Sequence, residues 1–130
     1  MISNFTMIDP TRIFEINGQV CLLQSETPDN GLYTVGANRR VLDAVTAKRI
    51  RVMGWASQGL AGVTAWALRS ASGGTFIMPS VTSPSNAAGS SDFRPIVASG
   101  YMETHTGEGL YVNVNTSDLI LQLWYIVYTP

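Results

Sequence analysis

The chain has 130 residues, of which 45% are hydrophobic and only 13% are charged, and its formal net charge is −1. That length fits one domain, and the near-neutral charge provides no basic field to attract nucleic acid or an anionic membrane surface. A single cysteine, Cys21, excludes an intrachain disulfide, and no apolar stretch is long enough to cross a bilayer. Its apolar neighbours predict that Cys21 is a buried, inert side chain.

Two regions of the chain differ in pattern. Residues 1–18 mix Asn, Asp and Pro with isolated apolar residues and show no sustained period, which predicts an extended N-terminal arm. In residues 19–130, strand-like runs alternate with turn signals roughly every eight to twelve residues, as in a sandwich or a barrel. We therefore divide the chain into an arm, residues 1–18, and one β domain, residues 19–130.

The strands predicted in chain order span residues 19–25, 32–35, 40–45, 48–57, 62–70, 75–78, 96–103, 109–115 and 118–128. The run 40–45 also fits a short helix, and the proline-containing residues 79–95 predict a long loop. The short connector between 48–57 and 62–70 predicts that these two strands form a hairpin. About eight strands and almost no helix predict an all-β fold, an antiparallel jelly-roll sandwich preceded by the arm.

The last predicted strand is apolar on both faces. At a period of two, one face carries Leu119, Leu121, Leu123, Tyr125 and Val127. The other face, called the outward row below, carries Ile120, Gln122, Trp124, Ile126 and Tyr128. A strand that hides both faces needs cover on both sides, and leaving one face in water would expose more apolar surface than monomers usually tolerate. We therefore predict that the outward row is an interface between copies of the chain.

Catalytic chemistry finds little support in the sequence. His105 is the sole histidine, so the several imidazoles of a β-barrel metalloenzyme are missing, and no Gly-x-Ser-x-Gly elbow frames a serine. We interpret three nearby residues as exposed loop side chains rather than as ligands of a weakly bound cation: Glu103, His105 and Glu108. We predict no enzyme, no catalytic, metal or cofactor-binding residue, no cofactor and no small-molecule substrate.

The aromatic residues leave several interpretations open. They suit a core, a subunit interface or a platform on which a sugar stacks: Trp55, Trp66, Tyr111, Trp124, Tyr125 and Tyr128. A more distant alternative is a small-molecule-binding barrel in which Trp55 and Trp66 line a cavity.

Three segments carry a resemblance to a known group: KRIRVMGW at 48–55, GVTAW at 62–66 and METHTGEGLYVN at 102–113. They resemble a widespread group of small phage-encoded jelly-roll proteins found among virion structural genes, over roughly residues 45–129. The resemblance implies capsid decoration (cement) or another place on the virion surface, often as a trimer. The chain departs from the group in its more aromatic last strand and in residues 1–44.

On this resemblance, we expect a decoration protein that is assembled in the host cytoplasm and stabilises the head by bridging capsomers. The expected partners are further copies of the chain, as a homotrimer, and the major capsid protein; no nucleic acid or membrane is expected. The arm is the expected capsid contact, through Phe5, Ile8, Arg12 and Phe14. The alternative is a receptor- or glycan-binding tip domain of a tail or head fibre.

Overall fold

The computed structural model of the protein describes residues 13–16, 18–22, 24–26, 32–83, 92–95 and 102–130. Within these residues the chain forms β-strands and turns, and no helix occurs. In chain order the strands are β1 (Ile13–Ile16), β2 (Gln19–Leu22), β3 (Gln24–Glu26), β4 (Leu32–Tyr33), β5 (Gly36–Leu42), β6 (Arg49–Gly59), β7 (Thr64–Ser70), β8 (Phe76–Ser83), β9 (Asp92–Pro95), β10 (Met102–Glu103), β11 (Leu110–Asn115) and β12 (Leu119–Tyr128). The predicted all-β class is therefore confirmed.

Two antiparallel sheets make up most of the described chain. In the first sheet, β6 and β12 pair with each other at the centre. Strands β3 and β4 pair with successive parts of β12 on its other edge. Strands β9 and β10 pair with successive parts of β6 on its other edge. The second sheet has the order β5-β11-β7-β8. Strands β1 and β2 form a separate hairpin.

One hydrophobic core draws on both sheets. The first sheet contributes alternate residues of β12, and the second contributes alternate residues of β11 and β7, as expected for strands with one buried face. Between the sheets, the rings of Trp55 and Trp66 meet edge to face, with centroids 5.5 Å apart. The Trp66 indole nitrogen donates to the hydroxyl of Ser83 at 2.7 Å, which satisfies a polar atom inside the core.

A β-bulge in β6 changes which side chains face the core. In the pairing with β12, Trp124 lies opposite Gly54 but Tyr125 lies opposite Val52, so β6 carries one extra residue, Met53. A strict period of two along the strand would place Val52 and Gly54 on one face and Trp55 on the other. The extra residue shifts the phase, so both Val52 and Trp55 are buried in the core.

The predicted hairpin between residues 48–57 and 62–70 is wrong. Strands β6 and β7 lie in different sheets, and residues 60–63 cross from one sheet to the other. A short polar connector suits either a hairpin or a crossing between sheets. Here the crossing places Trp55 and Trp66 on opposite walls of the same core.

The predicted loop 79–95 contains more strand than expected. Strand β8 continues through Pro79 to Ser83, and residues 92–95 form β9. Proline lacks the N–H that a sheet interior requires, which favoured a loop. Strand β8 is a sheet edge, however, and its register with β7 shifts between Met78 and Val81, so the missing donor is accommodated at an irregularity.

Candidate functional site: the outward row of the last strand

The sequence period of β12 matches its two faces in the structure. Leu119, Leu121, Leu123 and Tyr125 are buried in the core, and Val127 packs against it. The outward row therefore lies on the outer face of the first sheet, as the alternation predicted. Its cover differs along the strand, because a hairpin of the same chain lies over one end.

The C-terminal half of the row is buried within the single chain. Ile126 is 0% exposed and Tyr128 is 4% exposed, and both share a small hydrophobic cluster with Cys21 and Met53. Cys21 belongs to β2, so the hairpin β1–β2 supplies the cover. The predicted burial of Cys21 is confirmed. We call Ile126 and Tyr128 the covered half of the outward row.

A side-chain amide fastens this hairpin to the end of β12. The Gln19 amide nitrogen donates to the carbonyl oxygen of Thr129 at 2.6 Å, and the Thr129 backbone N–H donates to the Gln19 amide oxygen at 2.9 Å. The Gln19 amide thus donates one hydrogen bond to the Thr129 backbone and accepts one from it, as a backbone peptide group of a paired strand would. Lys48 adds a hydrogen bond from its ammonium to the Thr129 hydroxyl at 3.2 Å.

Beside the covered half lies a charged cluster centred on Glu103. Its carboxylate accepts hydrogen bonds from Arg49 Nη1 at 2.9 Å, Arg51 Nε at 2.8 Å and the Tyr128 hydroxyl at 2.6 Å. The guanidinium of Arg51 also lies 4.9 Å from the centre of the Tyr128 ring. The Glu103 side chain is only 13% exposed, so these partners are what make its burial as a charged group tolerable.

The titration of this cluster follows from its contacts. Burial acts to raise the pKa of Glu103, but hydrogen bonds from Tyr128, Arg49 and Arg51 outweigh it and lower the pKa below its ordinary value. Burial and the hydrogen bond to Glu103 raise the pKa of Tyr128. At neutral pH the cluster therefore consists of a carboxylate, two guanidinium groups and a neutral phenol. These fixed protonation states suit a structural role better than a role in proton transfer.

The N-terminal half of the outward row is only partly covered. Ile120, Gln122 and Trp124 are half-buried in the single chain, and we call them the partly exposed half. On β6, Gly54 lies opposite Trp124 and Ala56 lies opposite Gln122. Gln58 lies opposite Ile120. Trp124 and Ile120 are therefore the apolar side chains of this half, and they lie beside the amides of Gln122 and Gln58.

The apolar surface of this half continues onto the neighbouring edge strand, β4. Leu32 of β4 lies opposite Ile120 in the register and is itself exposed. The hairpin adds a second apolar surface, because Val20 and Leu22 point away from the sheet while Cys21 points toward it. Two exposed apolar areas thus flank the covered half.

The structure therefore divides the predicted interface. Because their own chain covers Ile126 and Tyr128, the surface left for a second copy narrows to Ile120, Gln122 and Trp124. Of the predicted capsid contacts, Phe5, Ile8 and Arg12 lie outside the described residues. The backbone of Phe14 belongs to β1, whereas its side chain is also outside them.

The structure separates Glu103 from His105 and Glu108, the other two residues considered as a cation site. The expectation that Glu103 is an exposed loop side chain is wrong, because Glu103 ends β10 and its side chain is only 13% exposed. His105 Nδ1 lies 3.4 Å from Glu108 Oε1, and Glu108 Oε1 accepts a hydrogen bond from the Ser70 hydroxyl. Across the described ranges, no group of three or more His, Cys, Asp and Glu side chains lies close enough to hold a metal ion. Trp55 and Trp66 contact each other directly in the core.

Sequence reasoning did not identify the Glu103 cluster. Arg49 and Arg51, two positions apart on a strand, share one face, and that spacing was the available signal. Their partner lies more than fifty residues further along the chain, and the spacing does not indicate which carboxylate it is.

Comparison with known proteins gives no relative. No family model, no curated protein and no solved structure matches the chain. Nor does any helix in the described part of the chain have the length and apolar character needed to cross a membrane. The function has to be inferred from the geometry of the chain itself.

Proposed function

We propose that the protein is a virion structural protein of a phage: a decoration (cement) protein that self-associates, as a trimer, and binds the major capsid protein. The observation that carries the proposal is the partly exposed half of the outward row, Ile120, Gln122 and Trp124, which presents a tryptophan and a branched aliphatic side chain on a flat sheet face.

The strand order supports a jelly-roll sandwich for the domain. With β3 and β4 counted as one segment and β9 and β10 as another, β3–β12 make eight segments in chain order. Antiparallel pairs then join the first with the eighth, the second with the seventh, the third with the sixth and the fourth with the fifth. Such nested pairs arise when one long two-stranded ribbon is wrapped into two facing sheets, which is the jelly-roll topology.

The energetics favour association at the partly exposed half. Covering a few hundred Å² of apolar surface contributes several kcal/mol at roughly 25 cal/mol per Å², before the cost of association. Trp and flanking aliphatic side chains are the residue types that dominate interface energies. Leu32 extends the same surface along the sheet edge, so the buried area grows without burial of any charge.

The charge distribution is consistent with a scaffold rather than a catalyst. The buried charges near the row belong to the Glu103 cluster, and that cluster is satisfied internally by Arg49, Arg51 and Tyr128. A decoration protein stabilises a shell by adding buried area across joints between capsomers. In this proposal, the trimer supplies that area through its N-terminal arms and loops.

Copy number per particle tests the proposal. Quantitative mass spectrometry of purified virions, calibrated against the major capsid protein, should find the chain in numbers comparable with the capsomers. A handful of copies per particle would instead indicate a tail or fibre component, and absence from the particle would contradict any virion role. As a second arm, particles lacking the protein should rebind the wild-type chain and become more resistant to heating.

A further inference from the structure

A surface cleft of about 390 Å³ lies on the outer face of the second sheet, on the side away from the core. It is lined by Ala67 of β7, Phe76 and Ser80 of β8, and Asn113 and Asn115 of β11. This volume falls within the range of small-ligand sites. The cleft shares no residue with the outward row of β12, which belongs to the other sheet.

Small side chains form the floor of the cleft. In the pairing of β11 with β7, Asn113 lies opposite Ala67 and Asn115 lies opposite Ala65. Ala67 lines the cleft between the asparagines and β8, and its methyl group leaves space that a larger side chain would fill. The register of β7 with β8 shifts around Pro79, and Ser80, which follows it, also lines the cleft.

Phe76 forms one wall of the cleft and is held in place. The residue is 50% exposed, which is high for a phenylalanine on a strand. The guanidinium of Arg69 lies 4.0 Å from the ring centre, and Arg69 Nη1 donates to the Asn38 side-chain oxygen at 3.3 Å. Arg69 Nη1 is thereby engaged by Asn38, while Arg69 Nε is buried and has no hydrogen-bond partner among the described residues. The guanidinium lies over the Phe76 ring, and the exposed part of the residue presents an apolar surface to the cleft.

The polar groups of the cleft are available to a ligand. The Asn113 side-chain oxygen accepts the backbone N–H of Asn38 at 2.8 Å, which fixes the amide and leaves its NH₂ group as a donor. Across the described residues, no hydrogen bond uses that NH₂ group or the side chains of Ser80 and Asn115. The cleft therefore offers amide donors, an amide acceptor and a hydroxyl.

We propose that this cleft binds a neutral saccharide. An exposed aromatic ring accommodates the apolar C–H face of a sugar ring, while asparagine amides and a serine hydroxyl match vicinal hydroxyl groups as donors and acceptors. Among the described residues, no acidic or basic side chain lines the cleft itself, and the guanidinium of Arg69 lies against Phe76 rather than in the lining, so the cleft favours a neutral ligand over a charged one. This inference does not depend on the proposed virion role.

Ligand-observed NMR gives the test, with the full-length chain and a panel of neutral oligosaccharides built from glucose, galactose, mannose or N-acetylglucosamine. Sialylated and uronic-acid oligosaccharides of the same length form the acidic arm. We expect saturation transfer to at least one neutral member at ligand concentrations up to about 10 mM, the weak end of specific affinity. The variants Phe76→Ala and Asn115→Ala should each weaken that binding by about tenfold or more.

Leu22→Ala is the matched control, because Leu22 is similarly exposed at 56% but lies on the separate hairpin that covers part of the first sheet. It should bind the saccharide as the wild type does. Circular dichroism of every variant should match the wild type, since the altered side chains are exposed. Absence of binding across the neutral panel, a preference for the acidic arm, or equal binding by wild type, Phe76→Ala and Asn115→Ala would each overturn the proposal.

Discussion

The two halves of the outward row on β12 lie on one face of one strand, yet they differ in what covers them. At the C-terminal half, Ile126 and Tyr128 are sealed by Cys21 from the chain's own hairpin. At the N-terminal half, Ile120, Gln122 and Trp124 remain half-buried. An apolar row on the outer face of a sheet is therefore not one surface. Part of it belongs to the protomer's own fold, and part remains for association.

The difference has a structural origin in how the hairpin is attached. Gln19 bonds to Thr129, beyond the end of β12, so the hairpin lies over the last residues of the strand and not over its start. The Glu103 cluster secures the same end through Tyr128. Substitutions in the covered half should therefore affect folding, whereas those in the partly exposed half should affect assembly.

The largest effect is expected for Ile126→Asp. This change places a carboxylate without a partner in a site that is 0% exposed, so it should lower the free energy of unfolding by at least about 3 kcal/mol. Urea denaturation followed by tryptophan fluorescence measures the loss. Ile120→Asp, on the same row but half-buried, is the control and should lose much less. Equal losses in the two variants would contradict the division of the row.

Trp124→Asp should separate the subunits while the protomer stays folded. A charge in the centre of the proposed interface would be desolvated without a partner on association. Size-exclusion chromatography with light scattering should then give the mass of one chain, and circular dichroism should retain the β spectrum. Val63 is an exposed apolar residue on the connector that joins the two sheets, so Val63→Asp should leave the assembly unchanged. Wild-type assembly by Trp124→Asp would exclude this face as the interface.

Glu103→Gln should destabilise the covered half in a pH-dependent way. Loss of the charge-assisted hydrogen bonds should lower the free energy of unfolding by about 1–3 kcal/mol at pH 7. Because the pKa of Glu103 is lowered in the fold, its contribution is present above the ordinary value of 4.5 and disappears as the pH falls through the folded-state pKa. Denaturation midpoints of wild type and variant should therefore converge in acid.

Glu108→Gln is the control for that measurement, because the Glu108 side chain is more exposed, at 39%, and it accepts a hydrogen bond from the Ser70 hydroxyl and lies 3.4 Å from His105 Nδ1. Its effect at neutral pH should be smaller than that of Glu103→Gln. A difference between wild type and Glu103→Gln that stays constant from neutral to strongly acidic pH would contradict the charged role of this carboxylate.

Gln19→Ala should have the smallest effect on global stability and a clear local effect. It removes two exposed hydrogen bonds to Thr129, which contribute about 1 kcal/mol or less. The hairpin should then open more often, and the thiol of Cys21 should react faster with a disulfide reagent. Val20→Ala, which loses no hydrogen bond, should label at the wild-type rate. Unchanged labelling in Gln19→Ala would mean that other contacts hold the hairpin.

Strict alternation made part of this fold predictable. The alternate apolar residues Leu110, Val112 and Val114 of the predicted strand 109–115 are buried, as are the inner residues of β12, because a regular strand keeps its phase. The phase of β6 was not predictable, since the bulge at Met53 leaves no signature that distinguishes it from a regular strand. Strand pairing was also missed at residues 48–70, because a short connector suits a hairpin and a crossing between sheets equally well.

The candidate site, like the fold, was only partly predictable from the sequence. The two-faced character of β12 identified the row, but which half the chain covers depends on contacts between Cys21 and residues more than a hundred positions away. The saccharide cleft was not predictable either, because it is formed by residues from three strands that meet only through the sheet order.

Sedimentation velocity of the wild-type chain at micromolar concentration tests the central claim most directly, because it reports whether the chain self-associates, as the partly exposed half of the outward row leads us to expect. We expect a single species with three times the 14.0 kDa mass of one chain. A species of 14.0 kDa throughout that concentration range would show that the protomer leaves Trp124 at its surface without self-association, and would contradict the account.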